Sequence, residues 1–254
     1  MSDQPEELPR PQAVPVDRAT LLDLMRCGEL ELQGVMPWSS NYTFLCTAQD
    51  AERKLAAYLI YKPQKGERPL WDFPRGTLYK REAAAFVVSD ALGWELVPPT
   101  IVRDGPHGVG SVQLFIDADQ EQHYFTLKDT YPEQFQRMAL FDALINNADR
   151  KGGHVLADDA GHVWAIDHGI AFHDEYKLRT VIWDWVGQPI DDEWLADLKQ
   201  LRDRLDPDEP LSAELKELLF PREIEAMRQR LDRLIKAKKF PGPAGNRSMP
   251  WPPV

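Results

Sequence analysis

Asn147-Ala148-Asp149-Arg150-Lys151-Gly152-Gly153-His154-Val155-Leu156, followed by Ala165-Ile166-Asp167-His168-Gly169-Ile170-Ala171-Phe172, is the most informative part of this chain. Just before it, PEQFQRMALFDALINN sets Phe135, Met138, Leu140, Phe141, Leu144 and Ile145 at helical spacing, which predicts a buried helix running into a loop. Within it, HVLAD and HVWAID flank Asp159-Ala160-Gly161 and predict two short strands around a turn. Asp149 and Asp167 therefore stand at opposite ends of one hairpin, and a chain that returns on itself can turn both carboxylates toward one cleft. Phosphoryl transfer uses such a pair, one carboxylate to orient the attacking hydroxyl and one to hold Mg²⁺ on nucleotide phosphates. Gly169 is the small turn residue expected to let the backbone swing Asp167 inward.

Outward from this centre, Asp17 is a plausible N-cap for a helix through LLDLMRC that stops at Gly28. Strand-like segments at 30–36, 42–48 and 55–62 predict an antiparallel meander. Residues 63–76, with three prolines and two glycines, predict a long irregular loop. A helix is expected over 78–92, with Thr77 as N-cap and Gly93 as terminator. VPPTIVRD and SVQLFID predict two more strands, and the polar break at 117–122 marks a boundary between lobes. Beyond residue 190 the pattern is helical, ending in an amphipathic helix near 221–238.

The 254 residues allow one large domain or two lobes sharing a cleft, and 43% hydrophobic residues suffice for a core. A net charge of −11 argues against broad sequence-independent nucleic-acid binding. No apolar run reaches the roughly 18 to 20 residues of a membrane span, so no stable membrane insertion is expected. The acidic, Pro-rich start lacks the apolar segment of a secretory signal, and the expected location is the cytoplasm. Cys27 and Cys46 lack metal-ligand spacing and read as reduced core residues. Residues 62–81 form a basic island (Lys62, Lys65, Arg68, Arg75, Lys80 and Arg81) that reads as solvated surface or as an anion site. Residues 1–16 and 241–254 are Pro-rich and are expected to be loose tails. His162, His168 and His173 do not carry zinc spacing, and neither a G-x-S-x-G elbow nor a G-x-x-x-x-G-K-[ST] loop is present.

DRKGGHVL followed by AIDHGIAF resembles the catalytic loop and metal-binding motif of the phosphatidylinositol 3-/4-kinase family, particularly the type II phosphatidylinositol 4-kinases. It is closer still to small actinobacterial proteins described as phosphatidylinositol 3-/4-kinase-like. The likeness covers about residues 28–190 and is specific over 141–172. It implies an α+β bilobal kinase-like fold, with a small β-rich N-lobe (17–116) and a larger helical C-lobe (117–240). It also implies that Asp149 is the catalytic-loop aspartate, supported by Arg150, and that Asp167 is the metal-binding aspartate. Five residues after the catalytic aspartate the family has an asparagine as second metal ligand. Here that place is His154, whose neutral imidazole would suit Mn²⁺ better than the oxygen-preferring Mg²⁺.

The N-terminal half fits the same scheme. Lys62 closes the third strand, where it can reach the α- and β-phosphates of ATP, and Glu82 on the following helix is its natural partner. The phosphate-covering loop should contain Ser39, Ser40 and Asn41, and the base should meet the segment holding Phe115 and Asp117 through backbone groups. Trp71-Asp72-Phe73-Pro74 either folds over the adenine or substrate mouth or anchors the long loop. Two functions follow. One is phosphotransfer from ATP with Mg²⁺ or Mn²⁺ to a hydroxyl-bearing acceptor (a small molecule, lipid or protein). The other is a nucleotide-binding pseudokinase that serves as a regulatory or interaction module.

Overall fold

The computed structural model describes residues 17–36, 41–245 and 247–254, so Ser39 and Ser40 lie outside the described residues. Five antiparallel strands form one sheet in the order β1 (Glu29–Val35), β2 (Phe44–Asp50), β3 (Leu55–Pro63), β5 (Gly108–Leu114), β4 (Thr100–Gly105). The first three are a meander and the last two a hairpin. Helix α1 (Arg18–Cys27) begins where the Asp17 carboxylate accepts the Thr20 N–H at 3.0 Å, and it covers one face of the sheet. Leu24 and Met25 pack there against Cys46, Leu59, Tyr61 and Val112. Because side chains alternate along a strand, burying Tyr61 under α1 sends Lys62 to the opposite face. Cys27, expected in the core, is exposed, whereas Cys46 is buried.

Helix α2 (Leu78–Leu92) follows the long loop and ends at Gly93, whose φ of 69° forms the left-handed cap. Thr77 does not cap its start. The Thr77 hydroxyl donates to Pro74 O at 2.7 Å, and the Glu67 carboxylate accepts the Tyr79 N–H at 2.8 Å instead. The helix is buried almost all round, as expected of an element lined by Ala83-Ala84-Ala85 and enclosed between the sheet and a helical layer. Arg81 is 1% exposed and pairs with Glu223 at 2.5 Å, while its other terminal nitrogen donates to Ala171 O at 2.7 Å. In the long loop Phe73 is the anchor, buried under the Arg81 guanidinium and against the His173 ring. Trp71 stands outside the core, 92% exposed, with Lys177 over its ring. The basic island thus disperses: Lys62 turns to the cleft, Lys80 donates to Glu217 O, Arg81 is buried, and Lys65, Arg68 and Arg75 stay exposed.

The rest of the chain is the helical lobe. Helices α3 (Tyr124–Leu127) and α4 (Pro132–Ile145) precede the hairpin β6 (Val155–Ala157) and β7 (Val163–Ala165). Helices α5 (Asp192–Arg204), α6 (Pro210–Leu218) and α7 (Pro221–Ala237) complete a core around Phe141, Leu144, Leu198 and Leu231. Helix α4 ends at Asn146 in the left-handed region, φ 56°, and the Asn146 amide donates to His173 O and Glu175 O. Residues 247–254, expected to be loose, hydrogen-bond to Gly152, Thr180 and Trp183. No helix among the described residues is long and apolar enough to cross a membrane.

The Arg81–Glu223 pair joins α2 to α7 across the two lobes. Glu223→Ala should strand a buried guanidinium and lower unfolding stability by about 3–5 kcal/mol in urea titrations, with part restored by combining it with Arg81→Met.

Candidate active site

The loop after α4 is built around one buried cation. Arg150 has no exposed side-chain surface, and its nitrogens donate to Asp142 on α4 (Nε to Oδ2, 3.0 Å), to His154 O (2.8 Å) and to Ile166 O (2.9 Å). Its Nη2 lies 2.7 Å from His168 Nε2. A guanidinium only donates, so this imidazole nitrogen accepts and the proton sits on Nδ1. Burial first, then the charges of Arg150 and Lys62, hold His168 far below its usual pKa, so the ring is neutral. Arg150 therefore positions the loop from beneath rather than touching a bound molecule. Asn147 helps: its amide donates to Asp142 Oδ1 at 2.9 Å and its carbonyl accepts the Asp149 N–H at 3.0 Å. Neither Asp142 nor Asn147 was among the predicted site residues. The available signal was a single carboxylate inside the apolar run LFDALI, which a buried helix tolerates only with a partner.

His154 and Ile166, whose carbonyls share Arg150, are also joined by the Ile166 N–H to His154 O bond at 3.1 Å. This pins the two ends of the hairpin together and places Asp149 and Asp167 on one cleft. Asp167 itself takes the left-handed conformation, φ 65°, while Gly169, expected to supply the turn, does not. Aspartate is among the few side chains that enter this region readily.

Lys62 crosses from the sheet to meet both Glu82 Oε1 (2.6 Å) and Asp167 Oδ1 (2.8 Å). The second Glu82 oxygen accepts the His168 N–H at 2.9 Å, so one buried carboxylate ties the strand lysine to the turn after Asp167. Burial alone would lower the Lys62 pKa, but Asp167 and Glu82 together outweigh it and raise it. The same ammonium, ahead of the opposing effect of burial, holds the Asp167 carboxyl well below the usual carboxylate range. Across the cleft burial raises the Asp149 pKa, partly offset by Lys151, whose Nζ lies 3.6 Å from Asp149 Oδ2. A carboxylate of raised basicity is the better proton acceptor.

His154 Nε2 faces Asp167 Oδ2 at 3.4 Å, and burial, ahead of the opposing pull of Asp167, lowers its pKa. The Lys151 N–H approaches His154 Nδ1 at 3.5 Å, which favours the tautomer with hydrogen on Nε2. To ligate through Nε2 the ring must exchange that hydrogen for a lone pair. No cluster of three or more His, Cys, Asp or Glu converges on a metal position among the described residues. One carboxylate with one imidazole nonetheless fits an ion carried largely by nucleotide phosphates, the usual situation of Mg²⁺.

Lys62, Glu82, Asp149, Asp167, Gly169 and Asn41 line one narrow cavity of about 60 Å³. A larger one of about 560 Å³, against Trp94, Tyr131, Arg137 and His162, contains none of these residues. The Asn41 carbonyl side chain accepts the Arg68 N–H at 2.9 Å. The Phe115 N–H donates to Tyr58 O at 3.0 Å, whereas the Ile116 N–H and the N–H of exposed Asp117 make no hydrogen bond among the described residues. The three histidines go separate ways, His162 to Glu95 O, His168 to Arg150 and His173 to Asp72 O.

Comparison with known proteins bears on the family and the fold. The sequence profile described as phosphatidylinositol 3- and 4-kinase matches residues 5–205. Protein Rv2133c of Mycobacterium tuberculosis is 42% identical over 260 residues, covering 89% of this chain and 92% of that one. Phosphatidylinositol 4-kinase gamma 4 of Oryza sativa is 31% identical over 127 residues, and phosphatidylinositol 4-kinase type 2-beta of Gallus gallus is 28% identical over 195. These matches span 41% and 46% of this chain but only 22% and 41% of the two lipid kinases. Among solved structures, the Helicobacter pylori proinflammatory kinase CtkA superposes with a TM-score of 0.51 at 14% identity, over 85% of this chain and 94% of that one, a likeness of fold. With its β-rich and helical lobes and a family match over most of its length, the chain belongs to the phosphatidylinositol 3- and 4-kinase family.

Proposed function

We propose that the protein transfers the γ-phosphoryl group of ATP to a hydroxyl-bearing acceptor. The observation that carries this reading is the Lys62 ammonium held between Glu82 and Asp167, with Asp149 lining the same cleft. In the absence of nucleotide Asp167 takes one side of the lysine. When phosphates enter, the ammonium moves to their oxygens while Glu82 keeps it aimed. The base meets the segment ending in Ile116 and Asp117, whose amides have no acceptor among the described residues. Asp149 orients the acceptor hydroxyl and receives its proton as the oxygen bonds to phosphorus and the bond to the ADP oxygen breaks. Mg²⁺, held by Asp167 and by His154 once its tautomer changes, would neutralise charge on the phosphate oxygens.

The acceptor class follows from the segment after Asp167. Lys177 is committed to Asp72 at 2.9 Å and also faces Glu175, which leaves Arg179 as the unpaired cation of residues 173–183 among the described residues. One cation is a weak site for a multiply charged inositol phosphate headgroup, so an alcohol on a small molecule or protein fits better. A second reading, nucleotide binding without transfer, is favoured by His154, which stands where the family has an oxygen ligand and presents hydrogen toward Asp167.

Calorimetry and transfer assays test both. Asp167→Asn should weaken Mg²⁺-ATP binding at least about tenfold, whereas Asp149→Asn should retain binding and lose about 10²–10⁴ in turnover. Equal affinity of wild type and Asp167→Asn would remove Asp167 from the site, and binding without transfer by wild type would establish the second reading.

Lys62→Met offers a check free of any assay for turnover. A carboxyl whose folded pKa is depressed contributes stability above its ordinary pKa, near 4, and loses it as pH falls through the lowered value. In Lys62→Met the Asp167 carboxyl resonance should titrate well above its wild-type midpoint, because the ammonium that lowers it is gone while burial still raises it, and an unchanged midpoint would show that Lys62 does not set it.

His154→Asn supplies the family's oxygen donor. If His154 ligates, the exchange shifts preference from Mn²⁺ toward Mg²⁺ and flattens the acid-side fall of activity, which lies below the ordinary imidazole range because burial lowers the His154 pKa. Identical metal preference and pH profile in both proteins would show that it does not.

A further inference from the structure

Residues 247–254 run back beneath the loop that carries Asp149. Ser248 O accepts the Thr180 N–H at 3.0 Å and the Trp183 indole N–H at 3.2 Å. Five residues on, Pro253 O accepts the Gly152 N–H at 2.7 Å, and Pro250 between them is buried. Thr180 belongs to a stretch already laid alongside the same loop, with the Arg150 N–H on Arg179 O at 2.9 Å and the Val181 N–H on Arg150 O at 3.1 Å. The segment therefore backs the loop both directly, at Gly152, and through Thr180.

Gly152 is held from its other side as well, its carbonyl accepting the Tyr124 N–H at 2.9 Å. A Cβ on Gly152 would lie 3.0 Å from the Phe125 ring and 3.3 Å from Pro253 O, so glycine is what allows the segment to approach this closely. Between Gly152 and Asp149 stands Lys151, whose ammonium faces the Asp149 carboxylate. None of residues 247–254 lines the cavity of Lys62, Asp149 and Asp167, so the segment supports the loop without closing the cleft.

We propose that residues 247–254 are a positioning strap for the catalytic loop: by fixing the Gly152 amide they fix the direction of Asp149 toward the acceptor, and their removal lowers turnover while leaving nucleotide binding intact. The effect on turnover rests on the phosphotransfer reading, whereas the effect on the loop does not.

The experiment compares the full chain with one ending at Asn246 and with Trp183→Phe, which keeps the ring and removes the indole donor to Ser248 O. Amide hydrogen exchange over residues 148–156 is read first. Exchange at Gly152 should rise at least about tenfold in the shortened chain and less in Trp183→Phe, since local opening sets the rate. The rise in Tm caused by Mg²⁺-ATP should be unchanged, and kcat should fall about tenfold or more, as expected when a reacting group is misplaced by a fraction of an ångström. A synthetic peptide of residues 247–254 at millimolar concentration should restore part of both. Unchanged exchange at Gly152 overturns the strap, and so does faster exchange with unchanged kcat, or a kcat that rises on shortening. If the full chain transfers no phosphate, the phosphotransfer reading fails while the exchange data still decide whether the segment holds the loop. If the shortened chain does not fold, Trp183→Phe carries the same comparison.

Discussion

A guanidinium sealed from water must have its hydrogens accepted, and Arg150 meets that demand with groups from separate parts of the chain. Asp142 comes from α4, the carbonyls of His154 and Ile166 from the two ends of the β6–β7 hairpin, and His168 from the turn beyond. Dropping any of these contacts would leave a buried charge short of partners. The hairpin is too short to define its own ends by strand pairing, with three residues in each strand. The cation defines them instead, and the meeting of Asp149 and Asp167 on one cleft is a consequence of satisfying it.

Glu82 plays the matching role for the sheet. One of its oxygens holds Lys62 and the other the His168 amide, so the strand lysine and the turn after Asp167 share a single carboxylate on a helix buried on nearly every side. Two further features reinforce α2 as the link between lobes. Glu67 caps it from the long loop, and Arg81 pairs across to α7. Movement of α2 would withdraw Glu82 from Lys62 and from the His168 amide and disturb the loop anchored by Phe73 at the same time.

Much of this was legible in the sequence, because periodicity and strand-end placement are local properties. The spacing of Phe135 through Ile145 announced α4, and the two aspartates at the ends of a hairpin announced the cleft. Lys62 and Glu82 were legible as a strand end and a helix start. The misreadings fall where a role that one residue seemed to fill went to another. Glu67 displaced Thr77 as the cap, and Asp167 rather than Gly169 accepted the left-handed turn, while Phe73, given two faces by Arg81 and His173, fits the reading of its segment as the loop's anchor. Asp142 gave only the faint signal of a carboxylate in an apolar run and Asn147 none, because their roles lie in bonds to Arg150 and to the Asp149 amide that form only once the loop folds back on α4.

The left-handed backbone of Asp167 bears on how such a protein can change over generations. Asparagine and glycine tolerate that conformation as well as aspartate does, and each lies one base substitution from an aspartate codon. A lineage could therefore discard the carboxylate without breaking the turn, and its descendants would keep both lobes and the cleft between them. Shape persists cheaply at this position. The acid does not, because nothing in the backbone geometry requires it, and its presence beside Lys62 has to be maintained by what the charge does.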